Sequence, residues 1–514
     1  MTLVRWAAAH GESLVARGAG SSMAGGAMGP GVIVDLVRLD AAPAIDTATR
    51  CVSVGPAITR DQLERLATRE GLTFPVDPSS SSFATLGGMA ATNAAGARTV
   101  KYGAMREWVH GLDCVFADGT RAWLRRGEST ASALRSLPES AAEHPPAPLA
   151  RFMRDVAPLV RAADPAVLRH AGVRKESSGY GLAAWRESGD AVDLVIGSEG
   201  TLALIVGLEL RLAPSRDGIA SLLAGFADIE SAAAVAVQLA ALGASAVELL
   251  DRTFLDIAAS EGSVLTLPEG LEAVLIIEAD ADTPDLARRA AAALGAACEA
   301  GGATHVERAF STEDERRLWQ LRHAASPILN RLAPRLQSMQ LVEDGCVPLE
   351  SYAAYVRGVR TALGTSGFAG VIFGHAGDGH AHVNALVNVT EPDWRERAER
   401  LLLDVTSLVA KFGGTLAGEH GDGRLRAPLL PQVWPAEVIG LFAATKRAFD
   451  PDGLLNPGVK VALPGARPLD DLKYDVDLAA LPAAARAALD AVSREKGWGR
   501  HRLDLIGAAP RHSH

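Results

Sequence analysis

The sequence lacks the features of a disulfide-stabilised, iron–sulfur or membrane-spanning protein. Its 514 residues hold only four cysteines, Cys51, Cys114, Cys298 and Cys346, and none of them forms a CxxC spacing. This scatter excludes a disulfide framework, a zinc ribbon and a cysteine-bound cluster, and it suits a reducing cytoplasm. No window reaches the roughly 18 uninterrupted apolar residues of a membrane span. We therefore expect a cytoplasmic protein whose membrane contact, if any, is peripheral, at the inner membrane face.

The charge of the protein argues against nucleic acid as a partner. The net charge is -10, and no basic run interleaved with aromatic residues is present. Nucleic acid is therefore not an expected partner.

The length and composition predict a soluble protein of at least two domains. A chain of 514 residues with 48% hydrophobic and 22% charged residues exceeds the usual size of a single core. Short β-branched runs alternate with helical patterns, which predicts an α+β fold. We predict a first domain at 1–215 completed by 447–460, a second at 216–446, and a polar tail at 461–514 with one helix around 481–496. In the second domain, strands separated by helices of about 12 to 17 residues predict a sheet covered on one face.

Four loops in the first domain are rich in glycine and other small residues. They lie at 17–26, at 75–79, at 85–96 together with 101–103, and at 196–202. Such loops let backbone N–H groups approach an anion closely. The first is neither a P-loop, because Gly-Lys-Ser/Thr is missing, nor a dinucleotide fingerprint, because a strand rather than a helix follows. A single loop of this kind is explained equally well as a turn without a ligand, but four predict a long, flat ligand that carries phosphates.

Two segments in the last third concentrate groups that bind metals and protons. The first runs from His375 to Asn384 and the second from Gly418 to Gly423. A Gly-Asp-Gly hairpin is expected to fold His375 toward His382 and Asn384, which share one face of the returning strand. These histidines with Glu419 would bind Zn or Mn, leaving a position open for substrate, with His420 as the base. The alternative is a polar hairpin satisfied by water or backbone.

Taken in order, these segments closely resemble the D-2-hydroxy-acid dehydrogenase branch of the vanillyl-alcohol oxidase type flavoproteins. The resemblance implies an FAD-binding domain of the PCMH type and an α+β cap domain that carries an antiparallel sheet. It also implies that the sequence begins inside the flavin domain, since relatives carry a further strand before it. No residue stands out as a covalent tether, so FAD is expected to be bound without a covalent link. The residues implied to bind it are Arg17, Gly18, Ala19, Gly20, Ser21, Ser22, Gly25, Pro78, Ser79, Gly87, Gly88, Asn93, Gly96, Tyr102, Gly103, Gly197, Glu199, Gly200, Ile205 and Asn456.

The same resemblance assigns substrate contacts in the cap domain. It implies that Arg322 grips the substrate carboxylate, with Ser326 and Asn384 near the substrate. Without the family, Arg322 would read as a helix-surface arginine in a charged run. His380 stands where the family commonly has asparagine, and we expect it to face solvent. Val342 stands where the hydroxyglutarate enzymes carry a lysine, which weakens a site for a second carboxylate.

The expected function is oxidation of a D-2-hydroxy acid, such as D-lactate, glycolate or D-2-hydroxyglutarate, to the 2-oxo acid. His420 would take the hydroxyl proton while flavin N5 accepts hydride. The electron acceptor is expected to be a quinone, a cytochrome or an electron-transfer protein, because no NAD motif is present, and a homodimer is a candidate assembly. One alternative is a flavin-holding, non-catalytic subunit of a multi-subunit glycolate-type oxidase. Another is a metal hydrolase, which leaves the glycine loops unexplained.

Overall fold

A five-stranded antiparallel sheet forms the centre of the first domain. The computed structural model describes residues 1–133, 147–260, 267–323 and 336–470, with 482–484, 487 and 491. The strand order in this sheet is Ala44–Asp46, Cys51–Val54, Leu204–Arg211, Val109–Val115 and Arg121–Arg125. Two further pairs flank it, Leu14–Arg17 parallel to Val32–Asp35, and Leu72–Thr73 with Ala213–Pro214. The strand after the first glycine loop is thus the predicted one.

Short helices pack around this sheet. The predicted helix at 60–70 is confirmed as Arg60–Ala67 followed by a 3-10 turn, Thr68–Glu70, and it begins at a capping box of Thr59 and Gln62. The other helices of the region are Thr2–His10, Leu86–Thr92, Thr99–Tyr102, Met105–Trp108, Thr130–Ala133, Ala147–Arg151, Ala157–Ala162, Leu182–Ser188 and Val192–Val195, with a π-helical stretch Phe152–Val156 and a 3-10 turn Pro165–Leu168.

The chain returns to this domain near its end. The backbone N–H of Leu14 donates to the carbonyl of Leu454 at 2.7 Å, and that of Asn456 donates to the carbonyl of Leu14 at 2.8 Å. Helix Ala436–Phe449 also places Val438, Phe442 and Phe449 in the same hydrophobic core as the five-stranded sheet. The return therefore begins earlier than the expected residue 447.

The cap is built on an eight-stranded antiparallel sheet. Its order is His305–Ala309, Gly218–Phe226, Ala273–Ala281, Ala246–Asp251, Ala369–His375, His380–Asn388 and Leu336–Met339, with Gly345–Cys346 pairing beside His380–Asn388. Its helices are Ile229–Ala241, Arg252–Ser260, Pro284–Ala300, Thr312–His323, Tyr352–Thr365 and Trp394–Lys411, followed by Gly423–Arg426. Single 3-10 turns lie at Leu349–Ser351, Ala376–Asp378 and Ala427–Gln432.

The expectation of a sheet covered on one face is wrong. Strand Gly218–Phe226 alternates its buried side chains between two cores, so that Leu222 packs with one group of helices and Leu223 with another. The second core contains Phe254 and Leu318, from the helices that begin at Arg252 and Thr312. Burial on both faces explains why these strands read as continuous apolar runs.

The start of the expected polar tail packs against the cap. Leu469 is buried in the larger cap core, and its carbonyl accepts a hydrogen bond from Arg395. The helix expected around 481–496 lies almost wholly outside the described residues.

Candidate active site

A hairpin brings the two predicted metal-binding histidines together. Strands Ala369–His375 and His380–Asn388 pair with Phe373 opposite His382, and the turn closes at Gly379, whose φ of 71° favours glycine. The Nε2 atoms of His375 and His382 lie 3.4 Å apart. Asn384, two residues further along the same strand, is also buried.

Glu419 completes a triangle of donor atoms. Its Oε1 lies 3.1 Å from Nε2 of His375 and 3.3 Å from Nε2 of His382. A tetrahedral site with metal–ligand distances of about 2.0–2.1 Å has edges of roughly 3.3–3.4 Å. The three separations match those edges, so the residues fit a small divalent cation.

The outer ring atoms of both histidines are held by acceptors. Nδ1 of His375 lies 2.5 Å from Oε1 of Glu248, and Nδ1 of His382 lies 2.9 Å from the backbone carbonyl of Glu343. An Nδ1–H donor to each acceptor leaves Nε2 as a lone pair directed inward. Two lone pairs and a carboxylate oxygen then face one point, which requires a cation there, either a metal or a proton.

The electrostatics of the cluster favour positive charge at that point. Burial lowers the pKa of His375, but the carboxylates of Glu248 and Glu419 outweigh burial and raise it. For the carboxyl group of Glu419, burial alone would raise the pKa, but Lys175 and His375 hold this pKa well below its ordinary value. An ionised carboxylate in a buried site is a ready metal ligand.

Arg322 is buried, so the alternative of a surface arginine is wrong. It is 5% exposed, and its Nε donates to Oε2 of Glu248 at 2.5 Å, while its guanidinium lies 5.0 Å from the ring centre of Phe373. One carboxylate therefore bridges the predicted substrate anchor and a predicted metal ligand. Ser326 lies outside the described residues.

His420 is tied to the acidic pair that precedes strand Gly345–Cys346. Its Nδ1 lies 2.7 Å from Oε2 of Glu343, and its Nε2 lies 3.6 Å from Oε1 of Glu419, facing the metal point. Burial lowers the pKa of His420, but Glu343 and Asp344 outweigh burial and raise it to about 10. Arg426 donates to the other oxygen of Glu343 and fixes that carboxylate.

The expectation that His380 faces solvent is wrong. Its side chain has no exposed surface, and its Nε2 lies 2.9 Å from Oδ1 of Asp344. Because His380 and His382 are two residues apart on one strand, both rings point to the same buried face. The donor atoms of His375, His380, His382 and Glu419 lie within 4.8 Å of one another.

The carboxylates of the two glycine turns serve as buried ion-pair partners. Asp378 lies 3.3 Å from Nε of Arg174 and 3.7 Å from Nζ of Lys175. Asp422 accepts from the backbone N–H of Gly179 at 2.7 Å and lies 3.1 Å from Nζ of Lys460. Both acids therefore join the cap segments to residues that lie outside the cap.

The four glycine loops meet at one place. The backbone N–H groups of Gly197 and Glu199 donate to the carbonyls of Ala90 and Ala91 at 3.0 and 2.7 Å. Nδ2 of Asn456 donates to the carbonyls of Gly26 and Glu199, both at 2.8 Å. The predicted cofactor segments are thus brought together by backbone contacts and one buried asparagine.

Close packing explains why these loops carry no larger side chains. A Cβ added at Gly18 would lie 2.3 Å from Oγ1 of Thr85, and one added at Gly96 would lie 2.4 Å from the carbonyl oxygen of Asp77. The loops consequently meet through backbone, and backbone N–H groups are the kind of donor that binds a pyrophosphate without a charged side chain. The residues fit FAD in this respect.

Several predicted cofactor residues use their side chains within the protein. Both carboxylate oxygens of Glu199 accept from the backbone of Gly423, one of them also from Asp422, and the group pairs with Lys460. Asn93 accepts from the N–H of Arg106 at 2.9 Å and donates to the carbonyl of Glu176 at 3.2 Å. The Tyr102 hydroxyl contacts Asp280 of the cap, and burial with this contact raises the pKa of Tyr102 to about 12. Ile205 lies in the flavin-domain core.

Sequence reasoning missed the groups that hold the predicted metal ligands. Lys175, Glu248 and Glu343 come from separate elements and belong to neither histidine segment. Glu248 did leave a signal, since it lies between the apolar residues Val247 and Leu249 within strand Ala246–Asp251, and a buried charge needs a partner. Lys175 left none, because its immediate neighbours, from Arg174 to Ser178, are all polar.

Two family matches account for most of the chain. Residues 1–125 match the FAD binding domain family, and residues 217–459 match the family described as FAD linked oxidases, C-terminal domain. The chain belongs to the FAD-linked oxidoreductases that combine these two domains.

Individual relatives place it in one group of that class. It is 28% identical to the glycolate oxidase subunit GlcD of Bacillus subtilis, over 87% of this chain and 84% of that protein. It is 28% identical to the D-lactate dehydrogenase of Archaeoglobus fulgidus, over 86% of this chain and 84% of that protein. It is also 27% identical to the D-2-hydroxyglutarate dehydrogenase of Pantoea ananatis, over 87% of this chain but 45% of that longer protein. The protein is therefore an FAD-dependent enzyme of this group.

Solved structures confirm the fold. The 4-ethylphenol oxidase of Gulosibacter chungangensis aligns with a TM-score of 0.61 at 15% identity, covering 90% of this chain and 87% of that one. Alkyldihydroxyacetonephosphate synthase aligns with a TM-score of 0.55 at 14% identity, covering 89% and 73%. The vanillyl-alcohol oxidase type architecture expected from the sequence is confirmed.

Among the residues that the structure describes, no helix combines the length and the apolar character needed to cross a bilayer.

Proposed function

We propose that this enzyme oxidises a small D-2-hydroxy acid to the 2-oxo acid, with a divalent metal bound by His375, His382 and Glu419. The observation that carries the proposal is the triangle of their donor atoms, whose sides of 3.1, 3.3 and 3.4 Å have the size of a metal coordination edge. Buried charged groups surround the triangle, and one of them, Lys175, also contacts the glycine loop at Gly96. This arrangement supports the same conclusion.

FAD and the metal would each supply one kind of chemistry. FAD, which the four glycine loops would hold, would supply the acceptor for a hydride from the α-carbon. Zn or Mn, which His375, His382 and Glu419 would hold, would supply a Lewis acid that lowers the pKa of a hydroxyl.

The chain's own residues bind and orient the substrate. Arg322 is proposed to hold the substrate carboxylate, because a buried guanidinium attached to Glu248 is already fixed in position. Asn384 lies on the same strand face as His382 and is proposed to contact the substrate.

His420 is proposed to accept the hydroxyl proton at Nε2. Glu343 holds the opposite nitrogen, Nδ1, and so directs Nε2 toward the metal point. The surrounding carboxylates favour the protonated ring, which cannot act as a base. A proton on His420 is disfavoured when a cation occupies the triangle, because like charges repel. On this proposal, base function depends on metal loading.

The substrate is proposed to be a monocarboxylate, such as D-lactate or glycolate, rather than D-2-hydroxyglutarate. Val342, at the position where a lysine would bind a second carboxylate, is 6% exposed and packs in the larger cap core. The names of the relatives from Bacillus and Archaeoglobus agree with a small hydroxy acid. We propose a quinone, cytochrome or electron-transfer protein as electron acceptor, and FAD bound without a covalent link.

The test is an anaerobic mixture of the holoprotein with single hydroxy acids, followed by flavin absorbance. D-lactate or glycolate should bleach the flavin, L-lactate should not, and D-2-hydroxyglutarate should be slower than D-lactate. A flavin that no hydroxy acid reduces would contradict the proposal and favour a flavin-holding subunit. Flavin that stays with the acid-denatured chain would contradict non-covalent binding.

A further inference from the structure

Lys175 is a buried cation between the two halves of the proposed active site. Its side chain has no exposed surface. Its Nζ donates to the carbonyl of Gly96 at 2.9 Å and to Oε2 of Glu419 at 2.9 Å. The first partner belongs to a predicted flavin loop and the second to a proposed metal ligand.

These contacts divide the two oxygens of Glu419 between two tasks. Oε2 accepts from Lys175, while Oε1 lies 3.1 and 3.3 Å from the Nε2 atoms of His375 and His382. A carboxylate held in this way presents one oxygen to a cation. Lys175 thereby sets the rotation of Glu419 as well as its charge.

We propose that Lys175 is a positioning residue through which FAD and the metal stabilise each other's binding. This inference rests on the metal site proposed above. When FAD orders the loop that contains Gly96, the acceptor for Nζ is fixed, and with it the ammonium that orients Glu419. Ordering one site lowers the cost of ordering the other. By linkage the effect on affinity is reciprocal, so that bound metal must also raise the affinity for FAD, and we expect this gain to appear as slower release of FAD.

A second contact also links a glycine loop to the segment after Glu419, and it does not involve Lys175. Glu199, in the fourth glycine loop, accepts from the backbone N–H groups of Asp422 and Gly423, close after Glu419. Removal of the Lys175 ammonium should therefore reduce the coupling without abolishing it.

The experiment compares FAD release from holoprotein loaded with Zn²⁺ and from holoprotein treated with a chelator, using the recovery of flavin fluorescence. The ratio of the two release rates measures the coupling between the sites. Repulsion between Lys175 and the metal changes how tightly the metal binds, but both rates are measured at a known metal content, so the ratio does not depend on metal affinity. The wild type should release FAD at least about fivefold more slowly with metal, the lower end of typical coupling. In Lys175→Met, which keeps an unbranched apolar side chain up to Cε and removes the ammonium, the ratio should fall toward one.

Lys446→Met is the matched control. Lys446 is also largely buried and donates to a carbonyl in the fourth glycine loop, that of Thr201, but its other partners, Asp450 and Leu455, lie outside the proposed metal site. This variant should keep the wild-type ratio. A second readout is the absorption spectrum of the Co²⁺-loaded protein, which should change in Lys175→Met because Glu419 is free to rotate, and should stay unchanged in Lys446→Met.

The outcomes separate this inference from the proposed function. Elemental analysis that finds bound metal, together with a wild-type ratio of one, would overturn the coupling and leave the metal site standing. A Lys175→Met ratio equal to that of wild type would overturn the role of Lys175. Absence of bound metal in the wild type would contradict both proposals. The coupling between FAD and metal is measured on the wild type alone. It can therefore be refuted even if Lys175→Met folds poorly.

Discussion

The two halves of the proposed active site are built from different groups, the glycine loops on one side and, on the other, the cap cluster formed by His375, His382, Glu419 and the charges around them. The loops offer backbone and almost no side chain, and at Gly18 and Gly96 there is no room for a Cβ. The cap cluster offers buried titratable side chains, each held by another charge. The flavin half is therefore sensitive to added atoms and the metal half to removed ones.

The largest expected effect comes from removing a metal ligand. His382→Ala should lose bound metal, and kcat/KM should fall on the order of 10³-fold, because a Lewis acid contributes several kcal/mol to such a step. The flavin should still bind at saturating FAD, since the glycine loops are untouched, although its release should be as fast as from the chelated wild type. Elemental analysis and the flavin-to-protein ratio measure the two effects separately.

His305→Ala is the control, because His305 lies on the outermost strand of the same sheet, away from the cluster. Full activity in His382→Ala, or equal losses in the two variants, would remove the basis for the metal site.

A smaller loss is expected when the support of a ligand is weakened. Glu248→Gln leaves His375 and Arg322 without their shared carboxylate. Metal affinity should fall by roughly 10 to 100-fold, as for other residues that orient metal-bound histidines. Competition with a chelating dye measures it, with the more exposed Glu272→Gln as control. Unchanged affinity would mean that Glu248 only neutralises Arg322.

The opposite kind of change should damage the flavin half. Gly96→Ala places a Cβ 2.4 Å from the backbone oxygen of Asp77, which cannot move aside as a side chain could. Overpacking of this kind costs about 1–3 kcal/mol, so FAD should bind roughly tenfold more weakly while metal binding persists.

Gly440→Ala, within helix Ala436–Phe449, meets no atom within 4 Å and should be neutral or slightly stabilising. Retention of FAD by Gly96→Ala at the wild-type level would show that the junction is looser than the structure indicates.

The smallest effect concerns stability and sharpens the comparison within a single strand. Glu248 and Asp251 are three residues apart and both buried. His375 and Arg322 outweigh burial and hold the pKa of Glu248 well below its ordinary value, whereas burial raises the pKa of Asp251 to about 7.

For Asp251 the folded pKa lies above the unfolded value of about 3.9. Its contribution to stability is therefore complete below pH 4 and is lost as the pH rises through about 7. Asp251→Asn keeps a cap acceptor for the N–H of Phe254 and removes the charge. It should raise stability relative to wild type at pH 8 by roughly 1–2 kcal/mol, with no gain at pH 4. Denaturant unfolding at both values checks this, and an equal effect at both would contradict it.

The two halves also differ in how well sequence predicts them. Glycine loops and the paired histidine segments are local patterns, so their positions, the cofactor class and the hairpin at 371–387 could be predicted. The coverage of both sheet faces could not, because an apolar strand reads alike whether helices cover one face or two. His380 was misjudged because alternation along a strand says which residues share a face, and that face proved to be buried. Lys175 and Glu343 support the site from distant positions, and only folding shows that they do.

The most direct test is the metal dependence of flavin reduction. The holoprotein, chelated and then reloaded with Zn²⁺ or Mn²⁺, is mixed anaerobically with its best D-2-hydroxy acid, and the rate of flavin bleaching is recorded. The proposed site predicts that reduction falls on the order of 10³-fold on chelation and returns on reloading. Equal rates in the chelated and reloaded protein, with metal content verified, would contradict it.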